Sequence, residues 1–190
     1  MILQTALCNL KDEVMLSNYF NRFYDVAEQL IRNDQKYPQV YTGNGQYQNI
    51  FDLDVNGTGY FRKTGSVRFG LVSPSGSMTA CPDSNPLIDI SFPMRCVAIV
   101  PKRKLSDNSY SDDMLAFELI ASIGRRQSAI ANVQSVSGVV DSYKTDRDQI
   151  WNEEVKGIPR QLDLTLSVIA IDFDLNMRAS LDCLPQNCNY

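Results

Sequence analysis

The stretch "IDISFPMRCVAIV", residues 88–100, decides the fold: Ile88, Ile90, Phe92, Met94, Cys96, Ala98 and Val100 alternate with Asp89, Ser91, Pro93 and Arg95. Successive side chains of an extended chain point to opposite faces, so this alternation puts an apolar row on one side of a strand. A one-sided strand belongs to an antiparallel sheet packed against something on one face only. Pro93 lies on the outer side and has no N–H to give to a neighbour, which places a sheet edge or a bulge at that point.

The closing strand, residues 162–175, carries a different pattern. Leu162, Leu164, Leu166, Val168 and Ala170 point one way, whereas Ile169, Ile171, Phe173 and Leu175 point the other. The buried face therefore changes partway, through a β-bulge or because the two ends of the strand are covered by different things, one its own domain and the other a neighbouring molecule. At about 3.3 Å per residue this strand spans about 45 Å, long for a chain of 190 residues.

Upstream, Leu16, Tyr19, Phe20, Phe23, Ala27, Leu30 and Ile31 recur at steps of three and four, which predicts an amphipathic helix over residues 12–32 with Asn9 as a candidate cap. Residues 37–46, "YPQVYTGNGQ", read as loop and turn. Phe51, Leu53 and Val55 alternate before Asn56-Gly57, a hairpin signal whose return strand is "GYFRKT", residues 59–64. The same stretch opens like a calcium loop, but the twelfth position from Asp52, where a bidentate Glu is required, holds Lys63.

A strand with Val67, Phe69 and Leu71 on one side leads into "SPSGSMTACPDSNP", a Ser/Pro/Gly-rich arm or loop insertion at about residues 72–87. "PKRK", residues 101–104, opens a polar loop. A second helix starts at Ser111, a candidate cap followed by acids, with Ala116, Leu119, Ile120, Ile123 and Ile130 as its apolar positions and Gly124 as a stop or bend. Residues 133–155 read as two strands around a charged turn.

A hydrophobic content of 44% is enough for a core of one domain. The formal net charge of -4 argues against tight wrapping of nucleic acid, which needs Lys and Arg to displace counterions. No apolar run is long enough to suggest a membrane helix, and the start "MILQTALCNLKDEV" lacks the features of a secretory signal, so the expectation is a soluble protein made in a cytoplasm. The five cysteines are scattered; only Cys183 and Cys188 are close enough in sequence for a local disulfide or metal pair, against free thiols in a reducing compartment.

The chain has no histidine, which removes the commonest general base and zinc ligand. There is no G-x-S-x-G elbow, Walker loop or dinucleotide fingerprint. Asp172 with Asp174, and Glu153 with Glu154, are carboxylate pairs that read as solvated charge. The expectation is a protein that is not an enzyme, with no catalytic, cofactor-binding or metal-binding residues and no cofactor.

The element order, together with "DDMLAFELIASIG", residues 112–124, and "DQIWNEEVKGIPRQLDLTLSVIAIDFDL", residues 148–175, resembles the tail terminator and neck-ring (head-to-tail connector) proteins of tailed bacteriophages. The likeness covers roughly residues 12–175; the 72–87 insertion and the cysteine-bearing tail, residues 176–190, depart from it. It implies an α+β fold, an antiparallel sheet with two helices packed on one face, in a single ring-forming domain over residues 1–175.

It also implies a homo-oligomeric ring of six or twelve copies in the virion neck or tail. Such a ring contacts portal, other neck-ring or tail proteins and lets DNA pass through its lumen without specific binding or a membrane. An acidic balance suits a passage along which phosphate slides. Candidate contact residues are Pro74 and Met78 in the arm, Lys102, Arg103 and Lys104, and Ile169, Ile171, Phe173 and Leu175. Two alternatives stand beside it: a monomeric β-rich ligand- or carbohydrate-binding module using Tyr41, Tyr47 and Tyr60, and a hydrolase working through carboxylates such as Asp172 and Asp174.

Overall fold

The computed structural model describes residues 2–17, 19–50, 57–72, 87–105, 111–125, 133–157 and 165–180. Their elements run in the order α1 (Ile2–Met15), β1 (Arg22–Arg32), β2 (Gln35–Gly43), β3 (Gln46–Asn49), β4 (Thr58–Lys63), β5 (Arg68–Val72), β6 (Leu87–Pro101), α2 (Asp112–Gly124), β7 (Val133–Lys144), α3 (Arg147–Glu154) and β8 (Leu166–Ser180). All the strands join in one mixed sheet of order β3-β2-β1-β4-β6-β8-β7, with β5 added to β6 beyond the end of β4. The fold is α+β, as expected.

β6 and β8 are the spine. They pair antiparallel from Leu87 opposite Ser180 to Pro101 opposite Leu166 without a register shift. Met94, Cys96, Ala98 and Val100 of the apolar row of β6, with Ile88 and Phe92 partly buried beside them, join Ile169, Ile171, Phe173, Leu175 and Met177 of β8 in one core under α1 and α2. α1 contributes Ala6, Leu7, Leu10 and Val14, and α2 contributes Leu115, Ala116, Leu119 and Ile123. Two helices on one face of the sheet match the expected layering.

The opposite face is covered as well, where β6 ends and β8 begins. Val97 and Ile99 of β6 and Leu166, Val168 and Ala170 of β8 pack with Tyr60, Ala27, Val40, Ile50 and, from α3, Ile150 and Trp151. This corrects the reading of β8. Its apolar side does not switch; both of its faces are buried at the start, and Leu166 to Ile171 are all inside. Against β6 the strand runs without a register shift, and the described groups of this chain bury both faces there. Residues 162–164 lie outside the described residues.

Pro93 sits inside a central strand, where a ladder N–H would normally be needed. The β4 partners of β6 end at Met94 and the β5 partners begin at Ser91, so Pro93 faces the gap between two collinear strands. Its carbonyl accepts from Thr64 N at 2.9 Å, while no strand there requires a donor. The sequence signal for an edge is thus met locally.

Several expectations fail. The predicted helix over 12–32 is the end of α1 followed by strand β1. The spacing of Phe23 and Ala27 imitates a helical turn because a register shift lies between Tyr24 and Ala27. An extra residue there sends Phe23 to the helix-covered core and Ala27 to the other one. β1 then turns through Asn33 and Asp34, both at positive φ, into β2, so the stretch read as loop is mostly strand, with its turn at Gly43–Gly45. Likewise, the second of the two strands expected in 133–155 is α3, capped by Asp146, which accepts from Asp148 N and Gln149 N at 2.9 Å each.

The return strand of the predicted 51–64 hairpin exists as β4, but its two sides go to β1, in parallel, and to β6. The sheet is therefore mixed and not purely antiparallel. Residues 51–56 lie outside the described residues. Ser111 caps α2 as expected, its side chain accepting from Met114 N at 3.2 Å, and the helix ends at Gly124; Ile130 lies outside the described residues.

Two glycines admit close approaches. A Cβ on Gly59 would lie 2.3 Å from the Phe23 ring, and one on Gly138 would lie 2.6 Å from the carbonyl oxygen of Ile123 at the end of α2. At these points the sheet backbone itself is the packing surface.

Candidate functional site

On the face opposite α1 and α2, charged side chains from β4, β6, β8 and α3 converge. Glu154, in the last turn of α3, is 1% exposed. It accepts from Arg62 Nη2 at 2.6 Å, Arg62 Nε at 2.7 Å, Arg95 Nη1 at 3.1 Å and the Tyr60 hydroxyl at 3.2 Å. Arg95 also donates through Nε and Nη2 to the two oxygens of Asp172, at 2.6 and 2.7 Å, and through Nη1 to Glu153 at 2.8 Å. Lys144 of β7 and Gln149 reach the other oxygen of Glu153.

Arg62, Arg95 and Lys144 thus balance Glu153, Glu154 and Asp172. A buried charge is tolerated only when paired and hydrogen-bonded, and here each carboxylate has at least one cation. The hydrogen bonds that Arg95 donates to Asp172, then those to the two glutamates, hold it firmly in its charged form against the opposing effect of burial. Burial would push Glu153 up, but Lys144 and Arg95 outweigh it and bring its pKa down to about 2. Burial, then the Glu154 charge, keeps the Tyr60 hydroxyl protonated as a donor.

Of the carboxylates read as solvated in the sequence, Glu154 is buried and Glu153 and Asp172 are partly exposed, and all three are held in ion pairs. Asp174 is drawn instead to Arg68 of β5. The cluster thereby clasps α3 to the sheet. Backbone bonds between Lys36 and Lys156, at 2.9 and 2.7 Å, add to the clasp. Among the described residues no group of three or more His, Cys, Asp or Glu is placed to hold a metal ion.

The sheet also presents its two ends. β3 is the last strand at one end and β7 at the other, and no described strand pairs with the outer side of either. At the β3 end Tyr41 and Tyr47 pair across the hairpin, with ring centroids 5.3 Å apart, and are 59% and 47% exposed. They border a cleft of about 480 Å³ that Gln4 and Lys11 of α1 also line, so they lie on the α1 side of the sheet. At the β7 end Phe117 of α2 meets Tyr143 of β7 at 5.7 Å, and Phe117 is 58% exposed with Met114 close to half exposed.

Comparison with protein-family models finds no match for this chain, and comparison with curated proteins finds no significant match either.

The sequence-predicted contact residues fall into three groups. Ile169, Ile171, Phe173 and Leu175 are at most 1% exposed inside the single chain, so they form its core and not a surface that meets a neighbour. Lys102 and Arg103 are exposed in a short 3-10 turn after β6, whereas Lys104 is tied back, donating to Asn21 Oδ1 at 2.5 Å and to the Tyr19 carbonyl at 3.3 Å. Pro74 and Met78 lie outside the described residues, as do Asp52 and Asp54 of the calcium-like stretch and Cys81, Cys183 and Cys188. Cys8 and Cys96 are free thiols.

Of the tyrosines offered as a ligand surface, Tyr41 and Tyr47 come together, while Tyr60 is fully buried. The sequence reading missed Met114, Phe117 and Tyr143. A signal was there: in residues 112–124 the buried stripe is Leu115, Ala116, Leu119 and Ile123, and Met114 and Phe117 are large apolar residues off that stripe.

Proposed function

We propose that this protein is a structural component of a tailed-phage virion, a ring subunit of the neck or tail connector that joins portal to tail and leaves a passage for DNA. One observation supports it most: among the described residues a single sheet ends in two unlike edges, β3 and β7, each flanked by exposed aromatic residues. Unpaired strand edges beside apolar side chains are a liability for a solitary molecule. Unlike ends suit head-to-tail assembly, and a head-to-tail contact whose rotation closes makes a ring. The carboxylates of the ion-pair cluster are neutralised, which fits a scaffold better than a hydrolase.

The partners in this reading are further copies of the chain, a portal protein and neighbouring neck or tail proteins. No helix among the described residues is long and apolar enough to cross a membrane. The test is the particle mass and shape: light scattering and electron micrographs of the purified protein, alone and with a candidate portal protein. Closed rings are expected. A single molecule at high concentration that stays single on added portal overturns the reading.

A second reading, a monomeric carbohydrate-binding module, is favoured by the cleft beside Tyr41 and Tyr47, whose rim carries Arg22, Asp25 and Glu28. Its expected outcome is a monomer that binds oligosaccharides on a glycan array and loses that binding in Tyr47→Ala.

A further inference from the structure

We infer that the junction between neighbouring copies is a continuation of the sheet, in which the β3 edge of one copy lies along the β7 edge of the next and the Tyr41–Tyr47 pair packs on the Phe117–Tyr143 pair. This rests on the ring reading above and specifies the surface that makes the ring.

Three features select this junction. The first is the match of lengths. Beyond the register shift at 140/142, β7 pairs β8 regularly from Ser142 to Lys144, and this stretch carries Tyr143. β3 is also short, Gln46–Asn49, and carries Tyr47, so a pairing that sets Tyr47 beside Tyr143 engages two short edges of similar length.

The second is the face. Tyr41 and Tyr47 share a cleft with residues of α1, and Phe117 stands on α2. Both helices cover the same core on the same side of the sheet. A sheet continued from copy to copy keeps that side in common, so the two aromatic pairs arrive next to each other without a rotation of either strand.

The third is chemistry. Tyrosine and phenylalanine rings gain most when two half-exposed pairs are buried against each other, with the tyrosine hydroxyls left at the rim. The Tyr41 hydroxyl already accepts from Gly45 N at 3.0 Å, so that ring is held in place before any partner arrives. Side-chain order fixed in advance lowers the cost of association.

The experiment uses two full-length variants, Phe117→Asp, which blocks the β7 end, and Tyr47→Asp, which blocks the β3 end. Circular dichroism and thermal unfolding establish that each folds; if Tyr47→Asp does not, Tyr47→Thr takes its place as a strand-favouring substitute. Sedimentation and electron micrographs then follow assembly. Wild-type protein is expected to form rings and each variant alone to lose them. An equimolar mixture of the two has one intact end on each partner, so it is expected to stop at a dimer and never close.

If wild-type and both variants all form rings, the ring reading stands and this junction is wrong. Single variants that lose the ring but give no dimer on mixing also overturn it, because the two blocked surfaces are then not each other's partners. If the wild-type chain forms no assembly at all, alone or on portal, the ring reading fails and the junction falls with it.

Discussion

Arg95 and Asp172 stand directly opposite each other on β6 and β8, and the guanidinium meets the carboxylate through two parallel hydrogen bonds of 2.6 and 2.7 Å. The third nitrogen of the same group is turned toward Glu153 and Glu154, so one arginine ties the central strand pair to α3. A planar fork with donors on two sides can do this, and a lysine ammonium cannot.

Arg95→Met is therefore expected to destabilise the protein by about 3 kcal/mol, because it leaves Asp172 and Glu153 short of their partner in a partly dry site. Arg95→Lys recovers only part of the loss, since charge returns without the fork. Urea unfolding of the three proteins measures the difference. Equal stability of Arg95→Lys and wild type would remove the geometric argument.

Stability should depend on Glu153 at acid pH. Its pKa in the folded chain is lowered from 4.5 to about 2, so the unfolded chain takes up the proton first. The stabilisation is complete above the ordinary carboxylate range and is lost as pH falls from about 4.5 toward 2. Glu153→Gln should be less stable than wild type at neutral pH and should lose less on acidification. Parallel slopes for the two proteins through that window would show that Glu153 is not the group responsible.

Gly138→Ala should destabilise by about 1–3 kcal/mol, because the new methyl meets the Ile123 carbonyl at the end of α2 and the helix must move. Hydrogen exchange would locate the change in α2 and β7. A thermal transition equal to the wild type would mean that the helix end yields freely.

Phe173→Ala tests where β8 is buried. Phe173 is 1% exposed and packs edge-on to Phe61 at 5.9 Å, so its truncation should cost about 3–5 kcal/mol in the isolated chain, at any protein concentration. A loss that appears only in assembled protein would return Phe173 to a subunit interface.

What the sequence determined by itself follows from local rules. The alternation in β6, the Ser111 cap, the extent of α2 and even the interruption at Pro93 could be read because each depends on a few consecutive residues and their stereochemistry. The errors arose where a pattern has two physical origins. Phe23 and Ala27 sit at helical spacing because a bulge in β1 imitates it, and residues 146–154 pass for the end of a charged turn and a short strand until α3 is seen to bury Ile150 and Trp151.

Tertiary structure alone decided what covers β8. A run such as Leu166 to Ile171 says that both faces are dry, but not whose atoms make them so. Here α1 and α2 lie on one side and α3 with residues from β1, β2 and β4 on the other, elements distant in sequence. The meeting of Arg62, Arg95, Glu154 and Asp172 was equally invisible, because electrostatic attraction acts through space and the chain brings these four together only after the sheet has formed.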